Sequence, residues 1–369
     1  MKSPLHTLKE ISSFIASLIA LTIIITIFAY MLYSLFYLVP HISDTYFAIP
    51  IYVVIPFPIW PTPVLIFYLT GSFGYAWYVF LASAISASVI LMLFYGIIPY
   101  YRSFVKNPSA YRRNPFQELS ELYALNIFFS ILVVYIFLLF GYTPHTPGIG
   151  KMPIWQQMLS LLHASVYEEL IVRTVFLGIP VYLFYILKGK RVSPIRILGG
   201  YGKITSVEAI FIVLSAIVFA AAHVSAWGFW KMIPTFVGGL LLGYLYIRYG
   251  IYASIMLHFM TDFISIPMGM EKGLSYLFGF LMLAMAILGL IFFISYTIRT
   301  INYFSKKKPV KRRPQENKRV PNVAWTNLVC PNCGGTIFQY VDKNTVRCIR
   351  CGTEIKVGED NSYYQNYFN

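Results

Sequence analysis

Residues 154–187 read IWQQMLSLLHASVYEELIVRTVFLGIPVYLFYIL. A bilayer core about 30 Å thick is crossed by roughly 20 apolar residues in a helix. This stretch exceeds that length, and its only formal charges are Glu168, Glu169 and Arg173. It reads as a membrane-spanning helix with ionisable groups in its middle. Such groups are costly in hydrocarbon unless paired, so they mark function more often than in soluble proteins. At about 100° per residue of α-helix, Glu169 and Arg173 form an i, i+4 pair on one face, while Glu168 sits some ~140° from Arg173. Arg173 is expected to neutralise Glu169 first, leaving Glu168 to act as a general base on water. The doublet taken alone also suits a structural ion pair that pins two helices together.

Comparable apolar stretches lie at 11–39, 73–100, 118–142, 205–227, 231–249, 251–268 and 273–298. With 154–187 they give eight spans and an all-α polytopic membrane protein. The composition agrees: of 369 residues, 58% are hydrophobic and 12% charged, with a mean hydropathy of +0.65, far from the balance of soluble domains. The first stretch is too long for a signal-peptide core and lacks a small-residue cleavage pattern, so a retained span is expected. Residues 47–70 are apolar too, but Pro50, Pro56, Pro58, Pro61 and Pro63 oppose a continuous helix. A re-entrant or interfacial piece is expected there.

Cytoplasmic connections are enriched in Lys and Arg. The connection 101–116 carries Arg102, Lys106, Arg112 and Arg113, and 188–204 carries Lys188, Lys190, Arg191, Arg196 and Lys203. Eight spans with both termini in the cytoplasm put these segments and the basic tail on one side. A ninth span at 47–70 would break that pattern.

Polar residues concentrate on two further spans. Phe219 precedes His223 by four residues, and His258 precedes Asp262 by four, so one face of each helix is polar. Each histidine alone suits a hydrogen-bonded packing role, and His163 is read so. Together Glu168, His223, His258 and Asp262 could hold a divalent metal, zinc foremost, or polarise water and a scissile carbonyl without one. Counted from the outer ends of their spans, Glu168, His223 and His258 lie at roughly 21, 6 and 15 Å. They are not level, and a misplaced span boundary is the favoured explanation, with Trp227 and Trp230 marking an interface reached after a bend.

Glu168-Glu169-x-x-x-Arg173, Phe219-x-x-x-His223 and His258-x-x-x-Asp262, in this order on the fourth, fifth and seventh spans, resemble the CAAX-protease and bacteriocin-processing (CPBP) family over about residues 155–265. The resemblance implies a membrane-embedded endopeptidase acting on a membrane-associated peptide or protein, prenylated or otherwise. Carried across, Glu168 would activate water, Glu169 and Arg173 would hold the helix and tune charge, and His223 would orient the water. His258 and Asp262 would stabilise the oxyanion or bind metal. Prenyl-protein proteases of the family typically have Asn where this chain has Asp262. An ionised Asp cannot donate to an oxyanion, so that role needs a protonated Asp262 or passes to His258, which Asp262 would then orient.

The tail is a separate object. Residues 298–369 carry 13 Lys/Arg and 5 Asp/Glu. Within them 305–319 (SKKKPVKRRPQENKR) reads as a basic linker attracted to anionic lipid headgroups, with nucleic acid the weaker candidate. All the cysteines lie beyond it, as Cys330-Pro-Asn-Cys333 and Cys348-Ile-Arg-Cys351. That spacing is a structural zinc ribbon. The expected organisation is 1–298 in the membrane, 299–324 linker, 325–358 ribbon and 359–369 polar tail, the ribbon serving substrate capture or another protein partner. Two other readings remain: a non-catalytic scaffold or immunity protein, and a proton-coupled transporter. The latter lacks repeated halves.

Overall fold

A computed structural model describes residues 4–41, 48–55, 62–106, 114–306, 323–325, 328–342 and 345–356. They fall into two units, Met1–Asn302 and Tyr303–Asn369. Eight helical segments of the first unit are long and apolar enough to cross a membrane. In order, the elements are α1 (Pro4–Leu38), β1 (Ala48–Ile55), β2 (Thr62–Thr70), α2 (Gly71–Met92), α3 (Ile98–Lys106) and α4 (Pro115–Leu139). There follow α5 (Ile154–His163), a π-helical segment (Ala164–Gly178), α6 (Ile179–Leu187), α7 (Ser206–Trp227), α8 (Met232–Tyr249), α9 (Ile251–Phe263), α10 (Ser265–Met270) and α11 (Lys272–Lys306).

Local chemistry explains the ends that matter for the site. Asn114 caps α4, its Oδ1 accepting from the Phe116 amide at 2.8 Å, with Pro115 at the first position. Thr205 and Glu208 form a capping box on α7, which stops at Gly228 with φ of +85°. Gly250, with φ of +112°, is the sole link between α8 and α9. α9 is the central helix: Ala253 to Met260 are buried without interruption, and two-thirds of its span (67%) is covered by protein. A helix shielded all round can carry polar groups away from lipid. Small residues let neighbours approach: Gly239 of α8 faces the Ala216 backbone of α7, and Gly289 of α11 lies against the Ala124 carbonyl of α4.

Residues 47–70 differ from the rest. The described part forms an antiparallel hairpin in register from Ala48↔Thr70 to Ile55↔Thr62, with an irregularity between Ile51 and Tyr52. Pro50 and Pro63 are compatible with these strands, because in a two-stranded sheet both strands are edges. Ile49 and Ile51 enter the core while Val64 to Tyr68 stay exposed. The piece expected to be re-entrant or interfacial is thus, in its described part, a β-hairpin. The last helix also runs further than expected, to Lys306 rather than 298. Of the basic run, only Ser305 and Lys306 fall within the described residues.

In the second unit a four-stranded antiparallel sheet, β3 (Val323–Trp325), β4 (Ile337–Asp342), β5 (Thr345–Cys348) and β6 (Glu354–Lys356), encloses a core of Phe338, Val346, Cys330 and Cys348. A core this small calls for a staple.

Candidate active site

The Glu-Glu doublet lies on the π-helical segment, not on the α-helix its spacing suggested. π winding is rare and usually limited to single turns near functional sites, so the α-helical angle assigned to Glu168 does not apply. The pairing survives: Arg173 Nε meets Glu169 Oε2 at 3.2 Å, with both side chains fully buried. Arg173 also donates through Nη1 to Ser215 Oγ at 3.2 Å and lies over the Phe219 ring at 4.9 Å. Glu169 accepts from Ser254 Oγ and from His258 Nδ1, the latter at 2.9 Å. Glu169 thereby ties the π-helical segment to α9, and Arg173 ties it to α7.

Glu168 faces the other way. Its Oε2 is buried and makes no hydrogen bond among the described residues. His223 Nε2 lies 3.7 Å from that oxygen and His258 Nε2 3.8 Å, too long for direct hydrogen bonds. The rings are fixed from behind. His223 Nδ1 donates to the Phe219 carbonyl at 2.8 Å, leaving Nε2 as the ring atom that faces Glu168. His258 donates from Nδ1 to Glu169, and its Nε2 lies 3.2 Å from Asp262 Oδ2. Phe219 packs edge-on against both rings, at 4.7 and 5.8 Å.

The span boundaries match expectation within two residues for the helices that carry these groups, and the groups nevertheless meet. Helices of unequal reach, rather than a misplaced end, account for their uneven depths. His163 stands apart, accepting from Trp77 Nε1 at 3.0 Å and stacking on Tyr167 at 4.7 Å, as a packing residue does.

Two cavities meet at Glu168, Phe219, His223 and Trp227. The first, about 640 Å³, is lined also by His258, Asp262, Asn126, Thr235 and Lys231. The second, about 700 Å³, runs between the hairpin, α5, the π-helical segment and α7, past Ile49, Tyr52, Trp155, Tyr167 and Ile171. Lys231 and Thr235 carried no signal in the sequence, one hidden in a Trp-rich corner and the other in an apolar helix. Buried Glu118, Glu121 and Glu208 were also not anticipated. Glu121 accepts from Ser13 Oγ at 2.8 Å and meets Lys9 at 3.4 Å. These carboxylates line neither cavity.

In the second unit the four thiol sulfurs lie within 4.8 Å of one another, close enough for one metal ion. Two equivalent turns bring them there: the Gly334 amide donates to the Cys330 carbonyl and the Gly352 amide to the Cys348 carbonyl, with φ of +68° and +79° at these glycines. Hydrogen bonds from Thr353 lower the Cys351 thiol to about 6. Among the described residues this is the one His, Cys, Asp or Glu cluster gathered so tightly. Glu168, His223, His258 and Asp262 are more widely spread.

The first unit is thus a polytopic helical membrane protein with a carboxylate–imidazole centre inside its bundle. Residues 150–264 match the family model described as Type II CAAX prenyl endopeptidase Rce1-like. The matched segment contains all three motifs, so the CPBP resemblance holds there, and the chain carries an Rce1-like domain over those residues. The match does not extend to the cysteine module. No curated protein and no solved structure matches the chain.

Proposed function

We propose that the protein is an intramembrane endopeptidase in which Glu168 activates water against a peptide bond in or beside the bilayer. The observation that carries this reading is the buried Glu168 oxygen, without a hydrogen-bond partner among the described residues, opposite two imidazole nitrogens fixed from behind. Glu168 takes the proton of a water that His223 Nε2 orients, and the resulting nucleophile attacks the carbonyl. His258, held at Nδ1 by the Glu169 carboxylate and flanked at Nε2 by Asp262, turns Nε2 toward the developing oxyanion as its donor. Asp262 then serves by holding His258, which accounts for Asp in place of Asn. Glu168 returns its proton to the leaving amine.

Anchoring each Nδ1 on an oxygen is also what a metal-ligating histidine needs. Glu168, His223, His258 and Asp262 are the donors that would hold a divalent ion, zinc foremost, which would supply Lewis-acid polarisation of the water. The apolar second cavity suits the lipid-like part of a membrane-associated substrate, whether prenylated or not. In the tail, zinc is the ion that four thiolates in this spacing favour. The ribbon would bind a protein partner or capture substrate, and the basic linker would attract anionic headgroups.

We place both termini in the cytoplasm. The first cavity is lined by Thr146, Pro147 and Gly150 of the α4–α5 connection and by Lys231 of the α7–α8 connection, which lie at the helix ends opposite the basic connection 188–204. In this orientation the cavity opens away from the cytoplasm. That favours substrates presented at the outer leaflet.

The test is cleavage of a peptide library, with prenylated and unprenylated members, by purified protein in detergent. Wild type is compared with Glu168→Ala and His258→Ala, with and without chelator. Cleavage lost in both variants and kept in chelator supports the glutamate mechanism, while loss in chelator assigns the metal. A folded wild type that cleaves nothing favours the scaffold reading.

A further inference from the structure

The first cavity contains a cation that the proposed chemistry does not use. Among the described residues, Lys231 is its only lysine or arginine lining residue. Arg173 is already matched to Glu169, whereas Lys231 makes its close contacts with rings: Nζ lies 4.1 Å from the centre of Trp227 and 5.5 Å from that of Trp230. Such contacts orient an ammonium without neutralising it. Glu168 and Asp262 line the same cavity.

Independent of this charge, Thr235 lies four residues further along the chain and also lines the cavity. It is 7% exposed, and its hydroxyl is buried with no hydrogen-bond partner among the described residues. A buried unsatisfied hydroxyl is destabilising, and a ligand acceptor would offset that cost. Both residues belong to the start of α8: Lys231 is its N-cap and Thr235 lies one turn in. The N-terminus of this 18-residue helix adds partial positive charge to the same corner. An ammonium, an unsatisfied hydroxyl and a helix N-terminus together suit an anion, and a peptide's anions are carboxylates.

We infer that Lys231, Thr235 and the first turn of α8 form a carboxylate-binding subsite within the proposed catalytic cavity, which selects substrates bearing a carboxylate beside the scissile bond. The carboxylate is either the chain terminus or an acidic side chain. A carboxylate entering a cavity lined by Glu168 and Asp262 needs a cation of its own, and Lys231 supplies it. This subsite rests on the endopeptidase reading for its substrate but not for its detection.

The experiment uses the full chain and fluorescein-labelled library peptides in matched forms: free acid against C-terminal amide, and internal Glu against Gln. KM and kcat are measured for wild type, Lys231→Met, Lys231→Arg and Thr235→Val. Binding of the same peptides to Glu168→Gln, with and without Lys231→Met, is followed by anisotropy, which requires no turnover. Wild type is expected to prefer one carboxylate form about tenfold or more, through KM. Lys231→Met and Thr235→Val lose the preference, and Lys231→Arg keeps it. The acid–amide pair or the Glu–Gln pair, whichever shows the preference, identifies the source. A purely structural lysine would lower activity on both forms alike, and that result overturns the subsite, as does cleavage without preference. Preferential binding without any cleavage keeps the subsite and removes the endopeptidase reading. Neither binding nor cleavage removes both.

Discussion

Glu168 and Glu169 are neighbours in sequence with opposite surroundings. Glu169 has both carboxylate oxygens engaged, by Arg173, Ser254 and His258, while Glu168 keeps an oxygen turned toward two rings. Their substitutions should therefore separate. Glu168→Gln removes the proposed base and is expected to lower cleavage by at least about 10²-fold with little change in melting temperature. Glu169→Gln leaves Arg173 buried and partly unpaired, which costs about 3–5 kcal/mol and should appear as a lower melting temperature in detergent. Melting curves and turnover of the two variants check both outcomes, and a stable, active Glu168→Gln would exclude it as the base. The ionisable motif residues were legible because charge is scarce in apolar spans. Thr235 was not, since a single hydroxyl in an apolar helix carries no pattern; its meaning comes from the cavity wall. Glu118 and Glu121 escaped notice because they sit in the first turns of α4, where a charge normally reaches water. Here Ser13, Lys9 and Tyr244 close over them.

The eight spans could be read from apolar length, because the bilayer sets that length. The π winding of 164–178 could not: it leaves the hydrophobic pattern intact and changes only which carbonyl each amide reaches. The hairpin was half legible, its prolines excluding helix without choosing strand. An open two-stranded sheet has edge amides that hydrocarbon cannot satisfy, which argues for the membrane surface as its place. Close helix contacts are testable at Gly289, where an added Cβ would lie 2.2 Å from the Ala124 carbonyl oxygen. Gly289→Ala should force α4 and α11 apart at a cost of about 1–3 kcal/mol, seen as a fall in melting temperature. Gly279→Ala, which meets nothing within 4 Å, serves as the control. For the cysteine turns, metal analysis of the full chain should give one zinc, lost in Cys348→Ser, and two if the intramembrane donors also hold one. Because the thiols must lose protons to bind, retention against a chelator should weaken as pH falls.

At the scale of the molecule, the charge distribution and the site mouth lie at opposite ends of the helices. Single cysteines at Lys203 and Tyr142, in a background with the tail cysteines replaced, should react with an impermeant maleimide from opposite sides of a sealed cell or vesicle. The Tyr142 position should be the outer one, and labelling of Lys203 from outside would reverse the proposed orientation. Charge counting gave the expected side of the termini, which this labelling tests, but not where the site mouth opens. The convergence of three helices on one centre followed from motif order, whereas the meeting of two cavities did not, since it depends on the hairpin closing one wall. That shared wall bears on inhibition. Glu168, Phe219 and His223 border both spaces, so a linear compound could place an apolar arm in one and an acidic arm in the other. Each arm would present its mate at an effective concentration near the millimolar range, and two weak fragments joined across Glu168 should bind far more tightly than either alone.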